Sequence, residues 1–280
     1  MNKISSYLIT AWTLLAIGVH GQAVHHPELQ ATATVNYKKV SVSYHKLYQF
    51  GHADAFVNGL YRGILPLSEL KDHGDFGLGA PDLVNGELTL NNGKVYQSTA
   101  DGKTTLAPDS LKTSFAMVTF FKPDLTFSIF RVKNLKDLYQ QLDHYLENKN
   151  GMFAIRIKGL FDVVKTRAFP SVDKDSHVPL AQMLDKQKLF NTSKSKGLLI
   201  GYSLPAYLSG INISGFHFHF ISDNMDAGGH VLEMSSAEKI IVEISELKGF
   251  LLEVPDDESF KKFPFKGSNK EDLQKVEKGY

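Results

Sequence analysis

The sequence predicts a mixed α+β protein, two lobes built on mixed β-sheets with a few helices. Three observations carry that prediction. Short runs of β-branched and aromatic residues recur along most of the chain, Asn92-Gly93 sits between two of them as a hairpin turn, and only Asn134–Asn148 has a pronounced helical period. With 280 residues, 42% hydrophobic and 22% charged, the chain is long enough and apolar enough to bury a substantial core. Its 31 basic and 30 acidic residues leave a net charge of +1, without the cationic surplus of a nucleic-acid or acidic-membrane binder. Cysteine is absent, which removes disulfides, thiolate metal sites and thiol nucleophiles together. Any metal must therefore be held by His, Asp or Glu.

Met1–Ala23 reads as an address. Lys3 is followed by an apolar run, Ile4–Val19, and then by the small residues Gly21 and Ala23, the three parts of a secretory signal peptide. The run is interrupted by Ser5, Ser6, Thr10 and Thr13 and is shorter than the roughly 20 apolar residues of a spanning helix. Cleavage after Ala23 is expected to export the chain, to a periplasm or to the medium. It removes Lys3 and the only tryptophan, Trp12, so the exported chain is formally neutral.

Along the mature chain, Val40–His45 alternates weakly and predicts a strand, and Ser68 predicts a short capped helix after Pro66. Glu87–Leu90 and Lys94–Gln97 flank the Asn92-Gly93 turn; Asp101-Gly102 marks a second turn, and Ser114–Phe121 a strand buried on both faces. Leu135, Leu138, Tyr139, Leu142, Tyr145 and Leu146 form one helical stripe that Asn134 can cap and Gly151 stops. Phe153–Lys158 and Phe161–Ala168 predict two strands paired around Gly159, and Leu180–Lys186 a helix. Leu198–Tyr202, Phe216–Ile221, His230–Met234, Lys239–Ile244 and Phe250–Val254 predict further strands. The lobe boundary is placed near Asn150, giving an N-terminal lobe over 24–150 and a C-terminal lobe over 151–280.

Gly215-Phe216-His217-Phe218-His219-Phe220 is the most informative stretch. In a strand, His217 and His219 project from one face and the phenylalanines from the other. A turn through Gly228-Gly229 can bring His230 beside them, giving three imidazoles with an open coordination position, the arrangement of catalytic zinc. A half-exposed strand whose histidines only hydrogen-bond to neighbours fits the same pattern.

Beyond these residues, the chain resembles the acetolactate decarboxylase family from about Leu47 to Val254. The resemblance rests on His73-Gly74-Asp75-Phe76-Gly77-Leu78-Gly79, Asn85-Gly86-Glu87-Leu88, Val118-Thr119-Phe120-Phe121 with Pro123-Asp124, and Ala154-Ile155-Arg156-Ile157-Lys158-Gly159-Leu160-Phe161. It continues through Thr166-Arg167, the histidine stretch itself, and Gly228-Gly229-His230-Val231. Each motif alone is weak, and their common order and spacing make the set specific. The resemblance implies a zinc ion on His217, His219 and His230, with Glu87 and Arg167 lining the same pocket and a homodimeric assembly. It also implies a glutamate from the C-terminal tail over the metal, which spacing from His230 matches to Glu277. Ala80 departs from the threonine common in the family, which puts one hydroxyl contact to substrate in doubt.

The implied reaction is decarboxylation of 2-acetolactate to acetoin and CO2. A Lewis-acidic zinc would stabilise the enediolate left by CO2, permanently cationic Arg167 suits the carboxylate or the enediolate, and Glu87 or Glu277 would deliver the proton to one face. Taken without the resemblance, Glu87 reads as an exposed strand residue, Arg167 as a sheet-face ion-pair partner and Glu277 as part of a solvated charged tail. The glycines around His73 and Asp75 predict a tight turn with no chemistry of its own. An exported zinc hydrolase is the alternative enzyme, weakened by the absence of an HExxH sequence. A non-catalytic metal-binding or carbohydrate-binding protein on the same scaffold is the alternative outside enzymes.

Overall fold

The computed structural model describes residues 43–265 and 275–277. The segment read as a signal peptide, Met1–Ala23, and residues 40–42 of the first expected strand lie outside the described residues. In chain order the strands are β1 (Lys46–Phe50), β2 (Leu65–Pro66), β3 (Phe76–Pro81), β4 (Glu87–Asn91), β5 (Lys94–Ser98), β6 (Thr104–Leu106) and β7 (Lys112–Thr119). They continue as β8 (Leu125–Val132), β9 (Met152–Ala168), β10 (Lys188–Leu204), β11 (Gly215–Ser222), β12 (Gly228–Leu247) and β13 (Gly249–Glu253). The helices are α1 (Ala53–Val57), α2 (Leu67–Leu70) and α3 (Leu135–Tyr145), followed by a single turn at Glu258–Lys261.

Two sheets result, in the mixed-sheet class the sequence predicts. The first runs β13-β1-β7-β3-β4-β5-β6, with β2 on β7 and a parallel β1–β13 pair in an otherwise antiparallel array. The second runs β11-β10-β9-β12-β8, and β11 also pairs with the start of β12, closing a ring of four strands. Strand membership does not follow chain position: β8 and α3 precede Asn150 and pack with the second sheet, whereas β13 returns to the first.

Burial explains the layering. Phe76, Leu78, Phe115 and Met117 of the first sheet pack against Ile200, Tyr202 and Leu247 of the second, making the core between the sheets. On the far face of the second sheet, Leu138 and Leu142 of α3 pack over Ile155, Ile157, Phe218 and Phe220. Asn134 caps that helix as expected, its side chain accepting the Asp137 N–H at 2.9 Å. Asn92 and Gly93 take φ of 51° and 73°, the left-handed pair of a tight hairpin between β4 and β5.

Several local expectations are corrected. Of the strand predicted at Val40–His45 only residues 43–45 are described; there Tyr44 bridges Phe120, His45 turns the chain with φ 61°, and β1 begins at Lys46. The helix after Pro66 forms, but no side chain caps it. Leu180–Lys186 splits into two short 3-10 turns, Leu180–Gln182 and Leu184–Lys186. Phe153–Ala168 does not fold back at Gly159: β9 is one strand of 17 residues, and its glycine is there because a Cβ would sit 2.6 Å from the Ile240 side chain. Likewise His230–Met234 and Lys239–Ile244 belong to the single 20-residue strand β12.

The turn predicted around His73–Gly79 is instead largely strand β3, buried throughout. Its glycines allow close backbone approach, since a Cβ on Gly77 would lie 2.1 Å from the Met117 carbonyl oxygen. Asp75 accepts the Phe121 N–H at 2.8 Å and His73 stacks on Tyr48, so both are structural. These glycines give a sharp contrast under denaturation. Gly77→Ala is expected to cost roughly 3 kcal/mol or more through overpacking. Gly93→Ala has open space around its Cβ and only the left-handed backbone to strain, so about 1–2 kcal/mol is expected. Similar losses in urea unfolding would contradict the assignment of Gly77 to close packing.

Candidate active site

The site begins with strand register. On β11, alternation places His217 and His219 on the face toward the first sheet while Phe218 and Phe220 enter the core beneath α3. Because β11 closes onto β12, His219 stands opposite His230; because β12 also pairs with β9, His230 stands opposite Arg167. Three neighbouring strands thus present Arg167, His230 and His219 in one row. Gly228 and Gly229 permit the closure, for a Cβ on Gly228 would strike the Ser98 hydroxyl at 2.2 Å and Gly229 has φ 125°.

The first sheet supplies the opposing wall. Glu87 opens β4 directly after Gly86, whose φ of 93° turns the chain into the strand. The Leu88 carbonyl lies 2.8 Å from His219 Nδ1. A carbonyl only accepts, so Nδ1 carries the proton and Nε2 faces Glu87, whose carboxylate oxygen is 3.5 Å away. Residues 275–277 complete the chamber. Val276 is buried in the inter-sheet core, and the Glu277 carbonyl accepts from His230 Nε2 at 3.0 Å. The Glu277 carboxylate lies 3.8 Å from His217 Nε2 and 3.9 Å from His230 Nε2.

All six residues singled out from the sequence therefore line one chamber. Glu87 is buried rather than exposed, Arg167 forms no ion pair among the described residues, and Glu277 is packed inward with 20% of its side chain exposed. An apolar wall that no sequence motif marks completes the chamber: Phe56, Phe115, Phe169, Leu180, Ile213 and Val276 also face the site. Phe169, two residues beyond Arg167, could have been found from strand alternation. Leu180 and Ile213 come from irregular segments without a pattern to reveal them.

Burial sets the protonation states. Desolvation, reinforced by Arg167, lowers His217 to about 3 and holds His219 and His230 well below the ordinary imidazole value. Desolvation raises Glu87 to about 8, against the pull of Arg167, and raises Glu277 to about 7. Burial thus favours uncharged imidazoles and holds both carboxyls toward their protonated forms.

This donor set suits a divalent ion. The three imidazoles offer ligand atoms within 4.8 Å of one another. His217 Nε2 and His230 Nδ1 are 3.1 Å apart, a span two ligands on one zinc also cover, since Zn–N bonds run about 2.0–2.1 Å. His217 Nδ1 and Arg167 Nε and Nη1 are buried without a hydrogen-bond partner among the described residues. Unsatisfied buried donors and acceptors of this kind point to a ligand rather than to a finished core.

Neutral imidazoles, a protonated carboxyl and an unpaired guanidinium in one buried chamber define an enzyme centre for a small anionic substrate. The chain matches the family described as alpha-acetolactate decarboxylase over residues 47–267. It is 38% identical to the alpha-acetolactate decarboxylase of Methanosarcina mazei over 83% of this chain and 80% of that one. With the Bacillus subtilis enzyme of the same name it shares 34% identity over 77% of this chain and 84% of the relative. The crystal structure of alpha-acetolactate decarboxylase from Bacillus subtilis strain 168 superposes with a TM-score of 0.80 at 31% identity, covering 84% of this chain and all of that one. The chain belongs to the alpha-acetolactate decarboxylase family, and it is a carboxy-lyase.

A divalent ion favours ionised neighbours, so metal entry displaces protons from Glu277, which lies over His217 and His230, and takes none from the already neutral histidines. Zinc titrated calorimetrically into metal-free protein near pH 7 is expected to release more protons per site from the native chain than from the Glu277→Gln variant. Equal release would show that Glu277 is already ionised.

Proposed function

We propose that the chain is a zinc-dependent decarboxylase that converts 2-acetolactate to acetoin and CO2, with His217, His219 and His230 holding the metal. The observation that carries this reading is the registered row Arg167–His230–His219, faced by Glu87 and capped by Glu277. A zinc ion held there would supply Lewis acidity to the hydroxyl and ketone oxygens of the substrate.

The chain's own residues supply the rest. Arg167 offers unpaired donors to the substrate carboxylate and orients the bond that breaks. As CO2 leaves, the electron pair moves into the adjacent ketone, and the carbon that bore the carboxylate must then take a proton. Glu87, buried and able to hold a proton near neutrality, is the group we assign to that delivery, with Glu277 the second carboxyl within reach of the histidines. A carboxyl fixed on one wall reaches one face of the planar intermediate, so a single acetoin enantiomer is expected. Each turnover consumes one proton, which Glu87 regains from solvent. The apolar wall keeps water from competing for the intermediate.

Export after cleavage near Ala23 is part of the same proposal, supported by the basic–apolar–small pattern of Met1–Ala23, as is a homodimer, supported by the family resemblance. Mature protein is expected to fluoresce as tyrosine alone, because its only tryptophan lies in the leader.

Purified protein loaded with zinc is expected to form acetoin from racemic acetolactate above the spontaneous rate and to stop when the metal is chelated. His219→Ala is expected to lose both zinc and activity. Glu87→Gln is expected to keep zinc while kcat falls about a hundredfold or more. A zinc-loaded native protein that makes no acetoin would overturn the reading, and full turnover by both variants would overturn the site.

A further inference from the structure

We propose that Phe169 is a positioning residue that holds the Arg167 guanidinium ready for the substrate carboxylate, an assignment that rests on the decarboxylase reading above. Strand β9 ends at Ala168, and Phe169, the next residue, lines the same chamber as Arg167. The guanidinium carbon lies 5.0 Å from the centre of the Phe169 ring, within cation–π range. Both residues are almost wholly buried, Arg167 3% and Phe169 2% exposed.

What orients this cation is the question the geometry answers. Buried arginines are ordinarily held by carboxylates or carbonyls that consume their N–H donors. Here Nε and Nη1 are buried and unpartnered, and no described carboxylate forms an ion pair with the guanidinium. An aromatic face attracts the charge without accepting those N–H groups in conventional hydrogen bonds. The ring therefore supports the guanidinium from one side while its donors stay free for an incoming anion. A carboxylate in the same place would orient the cation but neutralise it.

The ring is itself anchored beside the second working residue. The Phe169 carbonyl accepts the Gly86 N–H at 3.0 Å, and Gly86 immediately precedes Glu87. Through that bond the support under Arg167 and the start of the strand bearing Glu87 share one reference point. Gly86 is confined to its place, for a Cβ there would meet the Ser98 carbonyl oxygen at 2.1 Å. Carboxylate-binding and proton-delivering groups are thereby held at a fixed spacing although they come from different sheets.

The test changes the charge of the ring face and leaves its shape nearly constant. Phe169 is replaced in the full chain by mono-, di- and trifluorophenylalanine, each of which withdraws more electron density from the face. Two readouts are followed on zinc-loaded protein: kcat and KM for acetolactate, and the calorimetric Kd of 2-hydroxyisobutyrate, a carboxylate that cannot lose CO2 by this route. The proposal expects kcat/KM to fall stepwise, about tenfold by the trifluoro variant, and the Kd to weaken in parallel while Tm stays constant. Phe169→Leu is expected to fall at least as far. A flat series in both readouts would overturn the proposal, because packing alone is insensitive to fluorination. If native protein makes no acetoin, the decarboxylase reading fails instead, and the Kd series alone still decides whether Phe169 orients Arg167.

Discussion

The hydrogen bond from His219 Nδ1 to the Leu88 carbonyl, 2.8 Å across the space between the sheets, is the interaction on which the rest of the site depends. It joins a strand of the second sheet to a strand of the first at the point where the chemistry is assembled. Its direction is forced, because the carbonyl can only accept, and that leaves Nε2 unprotonated and facing Glu87. Fixing the outer nitrogen is the usual way a ligating histidine is given its tautomer and its aim. Here the partner is main chain, so the aim is set by how the two sheets pack and not by a side chain that can rotate away.

Around that bond, burial determines charge. The same desolvation that strips protons from the imidazoles keeps them on the carboxyls, and Arg167 pushes both kinds of group toward fewer protons. The outcome is a chamber whose ligands need no deprotonation before a cation binds and whose acid can hold the proton that the product carbon must receive. Arg167 sits among them without a carboxylate partner, steadied by an aromatic ring. An exposed version of the same six residues would titrate at ordinary values and lose that division of roles.

Much of this was legible in the sequence, for identifiable reasons. The His217–Phe218–His219 alternation needed only the two-residue period of a strand, and Asn92-Gly93 only the local preference for left-handed backbone. The α3 stripe and its Asn134 cap were equally local. What could not be read was long-range register. Nothing near Arg167 announces that it will lie opposite His230, because that pairing is set by the 17- and 20-residue strands β9 and β12 crossing the whole second sheet. Glycine is the most ambiguous residue. Gly159 and Gly77 look like turn residues, yet each sits inside a strand where a neighbour leaves no room for a Cβ. A missing side chain and a required turn leave the same trace in a sequence, and only packing separates them. The apolar wall around Phe169, Leu180 and Ile213 was invisible for a related reason: an apolar residue facing a site is written like one facing the core.

The central claim is that these three imidazoles share one metal ion at the junction of the sheets. Anomalous diffraction from crystals of the zinc-loaded protein, collected on both sides of the zinc absorption edge, tests it most directly. The account predicts one strong peak per chain, about 2.0–2.1 Å from a ring nitrogen of each of His217, His219 and His230. A peak elsewhere, or none at these histidines in protein shown to contain zinc, would contradict it.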